Sequence, residues 1–158
     1  MIEGLVRDRL QTEELADQVA VSSAGVFALE GEPSNPIGVA LLPAHGIDIS
    51  DHIATYIGPQ RIETADLILV MEEGHRSAIF PRAPQHLHKV MLFSELINEH
   101  DNLADLYHRG QAAYEQALAR MDVVLTNGWD TLLGKLGIGG SVRRWQVCPI
   151  GAGRYWLV

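Results

Sequence analysis

Cysteine is nearly absent, with Cys148 the single one in 158 residues. That excludes internal disulfides and paired-cysteine zinc sites, and it fits a reducing compartment. Long apolar runs are lacking as well, since none approaches the roughly 18 residues a membrane span requires. The opening stretch from Met1 to Arg9 has charges spread through it and no apolar segment, so it is not a secretory signal. A soluble, cytoplasmic protein with no membrane partner is expected. Positive charge is also scarce: 12 Lys and Arg against 20 Asp and Glu leave a formal charge of −8. Such a balance repels a polyanion unless the few cations are gathered, so nucleic acid is excluded as the expected partner. The chain does have a 47% hydrophobic share and 20% charged residues, which fits a folded globular domain and argues against disorder.

The hydrophobic pattern predicts an α/β fold. Ile2, Leu5, Val6 and Leu10 fall at helical spacing, with no capping residue ahead of them. Residues 18–22 read as a strand, followed by a Gly- and Pro-rich loop from Gly25 to Pro36 and a helix carrying Val39 to Leu42. The nearly continuous apolar run from Ala65 to Met71 is typical of a parallel strand buried on both faces, and residues 88–93 give a shorter one. A short helix is expected over 72–80, and a long one from Gly110 to about Leu133, with Asn127-Gly128 marking an end or kink. Alternating strands and helices predict three layers: a short parallel sheet with helices on both faces. Gly134, Gly137, Gly139 and Gly140 then form a joint. The expected organisation is a domain over 1–133 and a joint and tail over 134–158.

Several ordered segments resemble the low-molecular-weight protein tyrosine phosphatases, the family that also includes thioredoxin-coupled arsenate reductases. They are Met1-x-Glu3-Gly4-Leu5, Ser23-Ala24-Gly25, Gly31-Glu32-Pro33-x-Asn35-Pro36, His45-Gly46-Ile47-Asp48 and Ala65 to Met71. The resemblance implies the phosphotyrosine phosphatase I-like fold and hydrolysis of a phosphotyrosine protein or small aryl phosphate through a cysteinyl-phosphate, without metal or other cofactor. In the family the first helix follows a central strand and a Cys-x5-Arg loop. Here Met1 matches the residue just after that loop, so the N-terminal central strand is expected to be missing and activity impaired. Unless the chain is permuted so that the strand is supplied from elsewhere, the strands on either side would then have unpaired edges, and self-association through them is expected.

The chemistry explains why that loop matters. A phosphate monoester must exchange its water for inward-pointing donors, which a loop at a helix N-terminus supplies together with the positive end of the helix dipole. The same field lowers a cysteine pKa, and an Arg fork grips the phosphate at two points. A carboxylic acid then protonates the departing phenolate.

The resemblance carries particular residues into these roles. Counting back from Tyr114-Glu115 makes Asp105 the general acid and Tyr107 a wall for the aromatic ring, with Leu106 where the family has proline. Leu29 matches a bulky residue at the pocket mouth, and Ser23 and His45 match positions that brace the phosphate loop. His86 and His88 lack further ligands nearby and read as solvated rim histidines.

Cys148 and Arg154 themselves form a glycine-rich Cys-x5-Arg, preceded by a candidate strand over 142–147. Three readings stay open: an N-terminally shortened family member, a circular permutation that moves the missing strand and loop to the C-terminus, with Cys148 as nucleophile and Arg154 binding phosphate, and a degenerate relative acting as a binding or regulatory domain. Arsenate reduction would need resolving cysteines beyond the one present.

Overall fold

The structure is a computed structural model that describes residues 1–106 and 109–138 together with the backbone of 153–157. Five α-helices are described: α1 (Ile2–Thr12), α2 (Pro36–Leu41), α3 (Pro59–Thr64), α4 (Glu73–Ile79) and α5 (Gln111–Lys135). Four strands, β1 (Val19–Ser23), β2 (Leu67–Val70), β3 (Val90–Leu92) and β4 (Gly153–Leu157), form one sheet in the order β1-β4-β2-β3. All three pairings are parallel.

The strands are apolar on both faces because helices cover both. On one face Val19, Leu67 and Leu69 join Leu5, Val6 and Leu10 of α1 and Leu118, Val124 and Leu125 of α5. On the other, Ile68, Val70, Val90 and Leu92 meet Ile62 of α3 and Ile79 of α4. The fully buried run Leu67 to Val70 has the composition that such a double covering demands. The expected three-layer α/β fold is therefore observed.

Local signals explain several boundaries. Asn35 caps α2 by accepting the Ile37 N–H at 2.9 Å, and Pro36 follows at the first helical position. Pro59 opens α3, an element the hydrophobic pattern did not reveal. Around β3 the expected strand over 88–93 is trimmed at both ends by the 3-10 turns Pro84–Lys89 and Phe93–Ile97. The 142–147 strand lies outside the described residues.

One expectation about the sheet is corrected. The central slot is filled: β4 lies between β1 and β2, with Val21 opposite Tyr155 on one side and Leu67 opposite Tyr155 on the other. Neither β1 nor β2 thus has an open edge facing that slot, and the backbone groups that would have driven self-association there are paired within the chain. α5 continues to Lys135, past the boundary expected after residue 133, and β4 follows it in the sheet.

Asn127-Gly128 does not end or kink the long helix. α5 runs straight through it because Gly128 is where the helix rests on the 3-10 turn after β3. A Cβ placed there would come within 2.6 Å of Leu96 Cβ and 3.1 Å of its carbonyl oxygen. Gly128→Ala should therefore lower stability by about 1–3 kcal/mol through overpacking, despite the better helix propensity of alanine. A lower urea midpoint with unchanged m-value is expected, and an unchanged or higher midpoint would contradict this packing account.

Candidate active site

In open parallel α/β sheets, ligands bind beyond the carboxyl ends of the strands. Ser23, the last residue of β1, stands at that edge and is tied to the first turn of α1. Its backbone N–H and its hydroxyl both donate to Glu3 Oε2, at 2.8 and 2.5 Å. Glu3 is 7% exposed, a buried carboxylate made tolerable by these donors and by Arg7, which pairs with its other oxygen. Its place in the first turn also sets its charge against the positive end of the helix dipole.

His52 completes the cluster. Its Nδ1 lies 3.5 Å from Glu3 Oε2 and its Nε2 lies 3.5 Å from Ser23 Oγ, at the long limit of hydrogen bonding. The histidine expected to brace this region was His45. It is exposed instead, closing the 3-10 turn Leu42–His45 before Gly46, whose φ of 74° ends the turn in the left-handed region. His52 follows seven residues later in the same segment. A sequence pattern gives both histidines a similar standing, and only the path of the loop brings one of them to Ser23.

Asp105 is fastened to the same sheet edge. The Leu103 N–H donates to the Met71 carbonyl at 2.8 Å just past β2, and the Asp105 N–H donates to Glu72 Oε1 at 3.0 Å. Asn102 Oδ1 accepts the Glu73 N–H at 2.9 Å, stitching the segment to the start of α4. In place of a rigid proline, Leu106 accepts the Arg109 N–H at 2.9 Å to shape the turn. The Asp105 side chain is exposed yet within electrostatic reach of Tyr114 at the start of α5. Burial, and secondarily the negative charge of Asp105, hold the Tyr114 phenol above its ordinary pKa.

The remaining candidates distribute as follows. Leu29 is 69% exposed on the loop after β1. Tyr107 and Cys148 lie outside the described residues. Arg154 belongs to β4, paired in register with Ala20, so it does not end a loop that follows a strand. His86 and His88, their ring centroids 6.4 Å apart, sit on the turn leading into β3, at the opposite end of the strands from Ser23. Among the described residues no group of three or more His, Cys, Asp or Glu is arranged to hold a metal ion. Nor is any described helix long and apolar enough to cross a membrane. Beside the Glu3 cluster opens a cavity of about 380 Å³ bordered by Met1, Arg7, Asp48, Asp51, His52 and Ile53, among others.

The family model for low molecular weight phosphotyrosine protein phosphatases matches residues 1–135, and the chain belongs to that family. It is 39% identical over 100 residues to the probable low molecular weight protein-tyrosine-phosphatase EpsP of Ralstonia nicotianae, covering 63% of this chain and 68% of that protein. To the low molecular weight protein-tyrosine-phosphatase Wzb of Salmonella typhi it is 34% identical over 97 residues, covering 61% of this chain and 64% of Wzb. Among solved structures, the low molecular weight protein tyrosine phosphatase of T. tengcongensis superposes with a TM-score of 0.76 at 25% identity, over 82% of this chain and 88% of that one. The YwlE arginine phosphatase does so equally well, at 0.76 and 25%, over 85% and 86%.

Proposed function

We propose that the chain works in the hydrolysis of phosphotyrosine monoesters, with Asp105 as the acid that protonates the leaving phenolate. The observation that carries this reading is the strapping of Asp105 to Glu72 at the sheet edge where Ser23 and Glu3 hold the first turn of α1. The helix dipole there favours a dianionic phosphate, and Asp105 approaches from the neighbouring strand end as a proton donor. Ser23, with Glu3 and His52, positions the helix terminus, while Leu29 and Tyr107 are the candidates for contact with the aromatic ring. Phosphotyrosine is favoured over phosphoarginine because the relatives of higher identity are named as tyrosine phosphatases.

The nucleophile is the demanding part. The one cysteine, Cys148, precedes β4 instead of following it, and Arg154 lies within that strand. In the family's usual order of strand, loop and helix the thiolate stands at the α1 N-terminus, a place in that order that Cys148 does not occupy. The alternative is a non-enzymatic binding or regulatory domain on the same shell; arsenate reduction, with one cysteine, is disfavoured.

Turnover of p-nitrophenyl phosphate is the test. Asp105→Asn should lower it by about 10²- to 10⁴-fold, the usual contribution of a positioned general acid. Cys148→Ser decides whether that thiol takes part. Undiminished turnover in the Asp105 variant would remove the assigned acid. A cooperatively folded chain with neither turnover nor vanadate binding would favour the binding-domain alternative.

A further inference from the structure

The loop after β1 and the segment before α3 run side by side as a short ribbon. Gly25 pairs with Tyr56 and Pro33 with Ile53, while the Gly31 N–H donates to the Ala54 carbonyl at 3.0 Å and the Ala54 N–H to the Glu32 carbonyl at 2.8 Å. The ribbon leaves from the end of β1 that carries Ser23, so it borders the candidate active site.

Two properties set this ribbon apart. It carries exposed apolar side chains: Phe27 is 81% exposed, Leu29 69%, Ile53 49% and Tyr56 36%. Scattered exposed hydrophobics need no explanation, but four on one small ribbon form a patch of the kind that binds a partner. Its charge is also of one sign. Between Arg9 and Arg61 the sequence has no lysine or arginine, whereas it has seven Asp and Glu, including Glu30, Glu32, Asp48 and Asp51. Asp48, Asp51 and Ile53 border the 380 Å³ cavity, which is roomy enough for one long side chain, and the nearby Arg7 is already engaged by Glu3. A second cation reaches the ribbon from outside it: Arg82 lies 5.4 Å over the Tyr56 ring.

We infer that this ribbon docks the protein segment flanking the phosphotyrosine and selects apolar and basic flanking residues over acidic ones. The inference rests on the phosphatase reading of the adjacent site and extends it from a phosphoryl group to a class of protein substrate. Apolar flanks cover Phe27 and Ile53, and a lysine or arginine enters the cavity between the Asp48 and Asp51 side. An acidic flank is repelled by Asp48 and Asp51, because the cation at the cavity, Arg7, is already paired with Glu3. The same field offsets the repulsion that a chain of this net charge exerts on a phosphorylated segment, because the flanking cations are attracted while the phosphate is delivered to the helix terminus.

Binding of fluorescent peptides to the full chain tests this, using phosphotyrosine flanked by Arg and Leu, the same phosphotyrosine flanked by Glu and Ser, and the unphosphorylated form of each. The Arg/Leu peptide should bind about tenfold or more tightly at low ionic strength, with the ratio shrinking as salt screens the ribbon. Phe27→Ser with Ile53→Ser should weaken it by about tenfold through lost apolar contact, and Glu30→Lys with Glu32→Lys should reverse the preference. Turnover of p-nitrophenyl phosphate, which has no flanking residues to meet Phe27, Ile53, Glu30 or Glu32, should be unchanged in both variants. Equal binding of the two peptides, or a preference that survives both variants, overturns the inference. Should the chain lack all turnover while the unphosphorylated Arg/Leu peptide keeps its ribbon-dependent preference, the docking surface stands and the catalytic reading fails. Urea midpoints of the variants verify that the exposed substitutions leave the fold intact.

Discussion

A chain ending at Ala152, without β4, is expected to lose cooperative unfolding. β4 is paired along five positions with β1 and three with β2, and it lies between two helical layers. Removing it opens two inner edges at once, and a buried backbone group left without a partner costs about 1–3 kcal/mol. Domain stability is typically about 5–15 kcal/mol in total, so a handful of such groups is enough to exhaust it. Tyr155→Pro asks the same question more gently, because proline deletes an N–H in the middle of a central strand and is tolerated almost only at edges. Urea unfolding followed by circular dichroism should show a broad, low-amplitude change for the shortened chain and a large drop in midpoint for the proline variant. An unchanged midpoint and m-value in both would mean that β4 does not hold the centre of the sheet.

Glu3→Gln should destabilise the fold by about 2–3 kcal/mol. Three donors converge on this buried carboxylate, the Ser23 N–H, the Ser23 hydroxyl and the Arg7 guanidinium. An amide keeps one acceptor oxygen and turns an NH₂ toward groups that are themselves donors, which leaves buried donors at Ser23 badly matched and strips the solvent-exposed Arg7 of its counter-charge. Ser23→Ala, which removes one hydroxyl and leaves the charge pair, should cost only about 1 kcal/mol. The double variant should be less damaging than the sum, since both substitutions disturb one network. Additive losses would show that Ser23 and Glu3 act separately. Any residual phosphatase turnover should fall in Glu3→Gln as well, because the same contacts hold the α1 terminus at the sheet edge.

α1 was legible because Ile2, Leu5, Val6 and Leu10 share one helical face, and all four are buried as that pattern requires. β2 was legible because an uninterrupted apolar run suits only a strand covered on both sides. The long helix is legible in extent, but its continuity through Gly128 is not: glycine usually weakens a helix, and nothing in the sequence shows that Leu96 presses against it. Two interactions bind α5 to α1 and the turn after it in the same nonlocal way. The Trp129 indole donates to Glu13 Oε2 at 2.6 Å, and the Arg9 guanidinium stacks 4.5 Å from its ring centre.

The sequence by itself determined the three-layer α/β class, the family and the candidate acid, because those follow from local periodicity and from motifs read in order along the chain. Which histidine meets Ser23, and which segment occupies the middle of the sheet, were decided only by tertiary structure. Both depend on pairings between residues far apart in sequence: His52 with Glu3, and Gly153–Leu157 with β1 and β2. A strand's place in a sheet is set by the backbone partners it finds. A tail rich in arginine and tryptophan carries no local mark of where those partners will be.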